Sequence, residues 1–454
     1  MNVHGKELPI PSFFQVYNYG GGNGDKDREI VYAELTGNTP ALINYFYINN
    51  SFPHTFSSKL FNEIGRFNTV GDLYNYIRAS LIMKGEIYRG YSSPDYDFNQ
   101  KVFLLDSGTF NIMKQIAESV NYDLALFKDR ILKAAVDYYD FADRIKCDIV
   151  VGFDLGGKYT EKDGEKGNSR LMRFLASLDK NEINNALLEL TVKYIKDHPD
   201  YYPYILATVH GDTPAEYSEN TRYILSLEEQ YNARFWGFAL GGVASYKQVD
   251  PSWYNDINLS RIGKRGFIDT IVPARASKIV RELVGDRPIH ALGCGGYNNI
   301  ALNYYCGATS FDAASPVRRV GDGNEESTRL VFDPTPFPKV GFSKYFTGGI
   351  NMDGTLRREK AVYIKLNEVP DSMPLCGCPA CLQAQTVHNI KQLYSMKSTN
   401  SEANYFSRQL IGLHAVMQHR KLCEILPSYT DIHAFSAAYP SELFRGLKYI
   451  SERL

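Results

Sequence analysis

Eight strand-length apolar bursts, separated by longer amphipathic stretches, constrain this chain more than any other feature. They run over residues 12–18, 40–48, 101–106, 147–154, 204–210, 235–241, 288–293 and 308–314. Several are continuous rather than alternating, as expected for strands buried on both faces. Between them, residues 110–144, 169–196, 216–231 and 268–284 carry helical periodicity. Eight strands alternating with helices predict an α/β chain, a (β/α)8 TIM-like barrel over residues 1–330. A doubly wound open sheet is the other architecture with this alternation, but it gives no reason for the count to stop at eight.

The bursts end in polar or glycine-rich residues: Asp106, Asp154, His210, the pair Gly241 and Gly242, Gly293 and Asp312. In a barrel the C-terminal strand ends gather at one rim, where active sites are built. Each glycine pair alone reads as a plain βα turn, and a lone aspartate there reads as a helix N-cap. Taken together they predict a site. Two carboxylates at one rim suit chemistry at an anomeric carbon, one attacking and the other moving protons.

Residues 331–454 form a second region. A strand is expected at 361–366, then helices over 382–396 and 402–426, with the break at 397–401 and Asn400 or Ser401 as cap. A mostly helical tail follows from 428. Cys376, Cys378 and Cys381 crowd into six residues, with Gly377 and Pro379 between them, in a chain whose other four cysteines are scattered. Three thiolates converging from one turn make three corners of a tetrahedral zinc site; a chance cluster or a redox thiol set are the alternatives. His388, His414 and His419 are the available fourth ligands.

Composition narrows the function classes. With 44% hydrophobic and 22% charged residues, the 454-residue chain is not a disordered one. Fifty basic against 51 acidic residues leave a net charge of −1, so any polynucleotide must be held by a local basic patch. No apolar run is long enough to span a membrane, and Met1 to Lys6 do not open a signal peptide. Seven cysteines, three of them assigned to a metal, fit a reducing compartment, so a cytoplasmic location is expected.

In this order the motifs resemble the tRNA-guanine transglycosylase superfamily, whose enzymes exchange guanine in a polynucleotide for a 7-deazaguanine. Leu105-Asp106-Ser107-Gly108-Thr109-Phe110 resembles the segment carrying the family's acid/base aspartate. Phe153-Asp154 resembles the base-reading aspartate, and Val209-His210-Gly211 falls where the family has Val-Gln-Gly. Leu240-Gly241-Gly242-Val243 resembles the Gly-Gly-Leu backbone contact. Phe311-Asp312 through Pro316 and Arg318 resembles the nucleophile segment, and the thiol knuckle the zinc subdomain. The likeness runs from about residue 9 to about residue 422.

The resemblance implies a pentosyltransferase with Asp312 as nucleophile and Asp106 as general acid/base. Asp154 would accept from N1–H and the exocyclic amine of the base; His210 and the Gly242 N–H would meet O6, and the Val243 carbonyl the 7-substituent. Phe110 and Leu292 would sandwich the ring, and Arg318 would hold the polynucleotide. Zinc would be structural, on Cys376, Cys378, Cys381 and His414, because Leu410 to His414 resembles the family's ligand helix.

Departures fall on the polynucleotide side. His210 replaces a glutamine, Gly321 stands where the family has a second arginine, and Leu382 to Thr386 replace an aromatic, basic segment. They point to the DpdA-like branch of bacteria and phages, which places a preQ0-type base into DNA. A bacterial cell or phage-infected host is the implied setting, with a second copy of the chain or a helper protein as partner. A tRNA substrate, a catalytically silent partner subunit and an unrelated barrel glycosidase are the alternatives. Arg261, Lys264, Arg265, Arg318, Arg319, Arg357 and Arg358 are the basic candidates for the strand path.

Overall fold

The computed structural model describes residues 1–17, 35–50, 67–83, 96–156, 169–243, 249–258, 268–313, 329–331, 363–365, 371, 375, 377–438 and 446–454. Each of the eight bursts contains a strand: β1 (Ser12–Tyr17), β2 (Ala41–Asn44), β3 (Phe103–Asp106), β4 (Ile149–Val151), β5 (Tyr204–Val209), β6 (Gly237–Leu240), β7 (Ile289–Ala291) and β8 (Ser310–Ala313). They form a closed barrel in chain order with every pairing parallel. Closure comes from β8 against β1, with Asp312 opposite Phe14.

Strand periodicity sorts the side chains into two layers. Phe14, Val16, Leu42, Leu104, Ile149, Val151, Leu206 and Ala239 fill the barrel. Their neighbours Phe13, Tyr17, Ile43, Phe103, Leu105, Val150 and Phe238 face the surrounding helices. Leu104 in and Leu105 out put Asp106 inward at the end of β3, since side chains alternate. At the opposite mouth an N-terminal hairpin, Asn2–Val3 with Lys6–Glu7, inserts Val3 beneath the interior. Lys6 donates to Asp148 Oδ2 at 2.8 Å and to the Lys101 carbonyl at 2.9 Å, which ties the hairpin to the strand starts. The hairpin thus covers the lower mouth of the barrel.

The helices are more divided than periodicity alone predicts. Residues 110–144 form Thr109–Ser119 and Leu124–Arg144, parted where Asn121 and Tyr122 take positive φ and Asp123 caps the second helix through the Leu126 N–H. Residues 169–196 divide into Ser169–Ser177 and Lys180–Asp197, with Asp179 as cap. A polar cap residue offers the backbone a competing hydrogen bond, which hydrophobic spacing does not reveal. The burst at 40–48 needs a correction: the strand ends at Asn44, and Tyr45–Asn50 is helical. Asn44 Oδ1 accepts the Tyr47 N–H at 3.3 Å, turning the chain where apolar residues continue.

In the C-terminal region Tyr363–Lys365 pairs antiparallel with Arg329–Val331. Pro379–Ala384, Val387–Ser395 and Ser401–Ile425 follow, the last capped by Asn400 through the Ala403 N–H at 3.1 Å. The tail contributes Ile432–Ala438 and Leu447–Ser451. Helix Ser401–Ile425 lies against β1 and helix Tyr297–Tyr305. Its His419 ring is stacked between Phe13 and Tyr297, at 4.6 and 4.4 Å between centroids. The C-terminal region therefore shares the barrel's outer core, and this helix covers the wall beside the closing seam. No helix among the described residues is long and apolar enough to cross a membrane.

Candidate active site

Asp106 ends β3 next to Asn44 at the end of β2, its direct register partner. Asp106 Oδ2 accepts the Asn44 amide at 2.8 Å and the Gly108 N–H at 3.3 Å. Gly108, not Asp106, is the N-cap of helix Thr109–Ser119, so the carboxylate is not spent on capping. Burial, and then the negative charges of Asp154 and Asp312, push the Asp106 carboxyl up to about 7. That coupling also places the three aspartates within one electrostatic site.

Asp154 sits on the loop after β4, which is pinned at both sides. The Phe153 N–H donates to the Tyr139 hydroxyl at 2.9 Å, and the Leu155 N–H to Asn184 Oδ1 at 2.7 Å. At the adjacent strand end, His210 follows β5 and brings Nε2 within 3.1 Å of Asp154 Oδ2. The contact is an ion-pair distance without hydrogen-bond alignment, and this buried nitrogen has no hydrogen-bond partner among the described residues. An orphaned buried nitrogen beside a carboxylate is a ready reader of a polar ligand edge. Gly241 lets the ring in: a Cβ there would stand 2.6 Å from His210 Cε1. The Gly241 carbonyl is held by the Tyr217 hydroxyl at 3.1 Å. Gly242 beside it has φ +72°, and a Cβ there would meet nothing within 4 Å, so its backbone borders open space. Val243 is buried.

Asp312 lies inward on β8 and is 8% exposed. Its Oδ1 accepts the Gly293 N–H at 2.7 Å and faces His290 Nε2 at 3.2 Å. Gly293, at φ +69°, turns the chain after β7 so that its N–H points back at this carboxylate. Leu292 packs against the interior cluster, and Phe110, at 41% exposure, stands out at the start of its helix. Arg318 and the other basic candidates, Arg261, Lys264, Arg265, Arg319, Arg357 and Arg358, lie outside the described residues.

The C-terminal thiols meet a histidine. Cys378 Sγ, Cys381 Sγ and His414 Nδ1 lie within 4.8 Å of one another, a group able to hold a metal ion. His414 Nδ1 is 3.1 Å from Cys381 Sγ and 3.5 Å from Cys378 Sγ. Tetrahedral zinc with ordinary bond lengths separates such donors by about 3.5 Å, so the spacing fits. Cys378 also caps helix Pro379–Ala384, its sulfur accepting the Cys381 N–H at 3.4 Å. Cys376 lies outside the described residues. The competing histidines are engaged elsewhere: His388 is exposed and pairs with Asp371 at 2.9 Å, and His419 is stacked against the barrel.

No protein-family model matches this chain, and no curated protein matches it. Sequence reasoning missed Asn44, which steadies Asp106, because strand register decides that pairing. It also missed His290 and Ser310, although a histidine at an inward position of a buried strand was a readable signal.

Proposed function

We propose that this chain is a base-exchange transglycosylase of the tRNA-guanine transglycosylase type, replacing guanine in a polynucleotide by a 7-deazaguanine through a covalent glycosyl-aspartate. The observation that carries the reading is the division of labour between two carboxyls of one rim. Asp106 is lifted to about 7 and can both donate and accept a proton near neutrality. Asp312 Oδ1 accepts the Gly293 N–H, which orients this second carboxyl at the rim as a nucleophile must be oriented.

In the first step Asp312 attacks C1′ while the C1′–N9 bond breaks. The bonding pair goes to N9, which takes the Asp106 proton, and guanine leaves. In the second step Asp106 accepts the proton from N9 of the incoming base. N9 then attacks C1′, and the Asp312–C1′ bond breaks with its pair returning to the carboxylate. Asp154 accepts from N1–H and the exocyclic amine of the base. His210 and the Gly242 N–H face O6, the Val243 carbonyl faces the 7-substituent, and Phe110 and Leu292 enclose the ring.

Cys378, Cys381 and His414, completed by Cys376, would hold zinc as a closed structural site, with no open position for water. Arg318 would hold the strand beside Asp312. The departures on the polynucleotide side favour DNA over tRNA, and a duplex target requires the guanine to be flipped out.

The test is incorporation of labelled guanine or preQ0 into duplex DNA and, in parallel, into tRNA. Label in DNA is the expected result. Label in tRNA alone would overturn the DNA assignment, and label in neither, from a folded protein, would leave a silent subunit.

A further inference from the structure

One buried titratable group at the rim is not used by the two-carboxylate chemistry. His290, on β7, is 1% exposed and lies edge-on to Phe14 in the barrel interior. Its Nε2 is 3.2 Å from Asp312 Oδ1 and its Nδ1 is 2.8 Å from Ser310 Oγ. An ionised carboxylate only accepts, so Nε2 carries the proton. In a neutral ring Nδ1 is then an acceptor, and the Ser310 hydroxyl donates to it. The Gly293 N–H donates to the same Oδ1, at 2.7 Å. Among the described residues Oδ2 takes no hydrogen bond, so the two oxygens of Asp312 are unlike: one is held by two donors and the other is left to react.

From this geometry we infer that His290, set in its tautomer by Ser310, is a positioning residue that makes Asp312 a good leaving group in the second step. The inference rests on the transglycosylase reading above. Once Oδ2 has bonded to C1′, Oδ1 is a neutral ester carbonyl and the His290 N–H gains little there. When the incoming N9 displaces Oδ2, the Oδ2–C1′ pair returns to the carboxylate. The negative charge that reappears is shared with Oδ1, where two N–H groups await it. A donor aimed at charge that develops only as the bond breaks accelerates that step. The same donor stabilises the free carboxylate before attack, so it does not speed formation of the ester. His290 therefore sets the balance between making and breaking the intermediate rather than overall rate alone.

The predicted signature is opposite in the two half-reactions. Adduct is formed on a guanine-containing DNA duplex, with tRNA run in parallel, and then chased with excess preQ0. In His290→Phe, breakdown slows by about tenfold to a hundredfold while formation is unchanged or faster, so adduct accumulates. Ser310→Ala, which leaves the ring in place but frees its tautomer, shifts the balance the same way and less. His290→Gln, which keeps an N–H near the Nε2 position, recovers much of the breakdown rate. A structural role for His290 predicts instead that both half-reactions fall together. Equal loss in both steps, or no change in either variant, overturns the inference while leaving the transglycosylase reading intact. If Ser310→Ala alone folds, its ratio of the two rates decides the matter. Wild-type protein that forms no adduct on either polynucleotide removes both.

Discussion

Asp106 is where the physics of single residues is most exposed. A carboxyl lifted to about 7 by burial and by two neighbouring charges is costly to keep ionised in the folded state. Below about pH 4 it is protonated folded and unfolded, and the cost vanishes. Between that point and about 7 the folded state binds the extra proton, so stability falls as pH rises, and above about 7 the full cost remains. Asp106→Asn should therefore be more stable than wild type at pH 8, by roughly 2–4 kcal/mol, with the gap closing by pH 4. Denaturant midpoints across that range measure it; a constant gap would mean that Asp106 is not the strained acid. The same substitution should slow exchange by about 10²–10⁴-fold. In wild type, cleavage of the original glycosidic bond should decline as pH rises through about 7, because the departing base loses its proton donor.

Turns and helices govern how these side chains meet. Gly241 admits the His210 ring only because it lacks a Cβ. Gly241→Ala should push that ring off Asp154 and weaken base binding by about tenfold or more; because the new Cβ would also stand 2.9 Å from Cγ2 of buried Thr208, the melting temperature should fall as well. Equilibrium binding of free preQ0 measures the affinity, and unaltered affinity would remove His210 from the site. At the other end of the chain, Cys378, Cys381 and His414 join helix Pro379–Ala384 to helix Ser401–Ile425, which stacks His419 on the barrel. On the zinc assignment proposed above, chelation, or Cys381→Ser, should release about one zinc per chain and lower the melting temperature, because structural zinc binding is coupled to folding. Metal analysis beside a thermal melt tests this. Retention of zinc in Cys381→Ser with His414→Ala would refute the site.

How far these elements could be read in advance depended on the kind of signal. Strands buried on both faces announce themselves as apolar bursts, and the thiol knuckle by its spacing. Cap residues such as Asp123 and Asp179, which split long amphipathic stretches, compete with spacing and were missed. Local pattern leaves three histidines open, and His414 is favoured only because Leu410 to His414 resembles a known ligand helix; the structure brings that histidine, not His388 or His419, to the thiols. Pairings that depend on register, Asn44 with Asp106 and His290 with Asp312, are not encoded in any local pattern.

For the whole molecule, the closed barrel brings residues far apart in the sequence to one rim. The N-terminal hairpin covers the lower mouth, and Asp106, Asp154 and Asp312 share the polar upper rim. A net charge of −1 would give a polynucleotide no general attraction, so the proposed substrate would have to be held by local cations, with binding that weakens as salt rises. The central claim is that Asp312 carries a covalent sugar. Denatured after incubation with a guanine-containing duplex oligonucleotide, the wild-type protein should gain the mass of that strand less one guanine, on the peptide containing Asp312. Asp312→Ala should gain nothing. No adduct on wild type with either DNA or tRNA, or an adduct that persists in Asp312→Ala, would contradict the account.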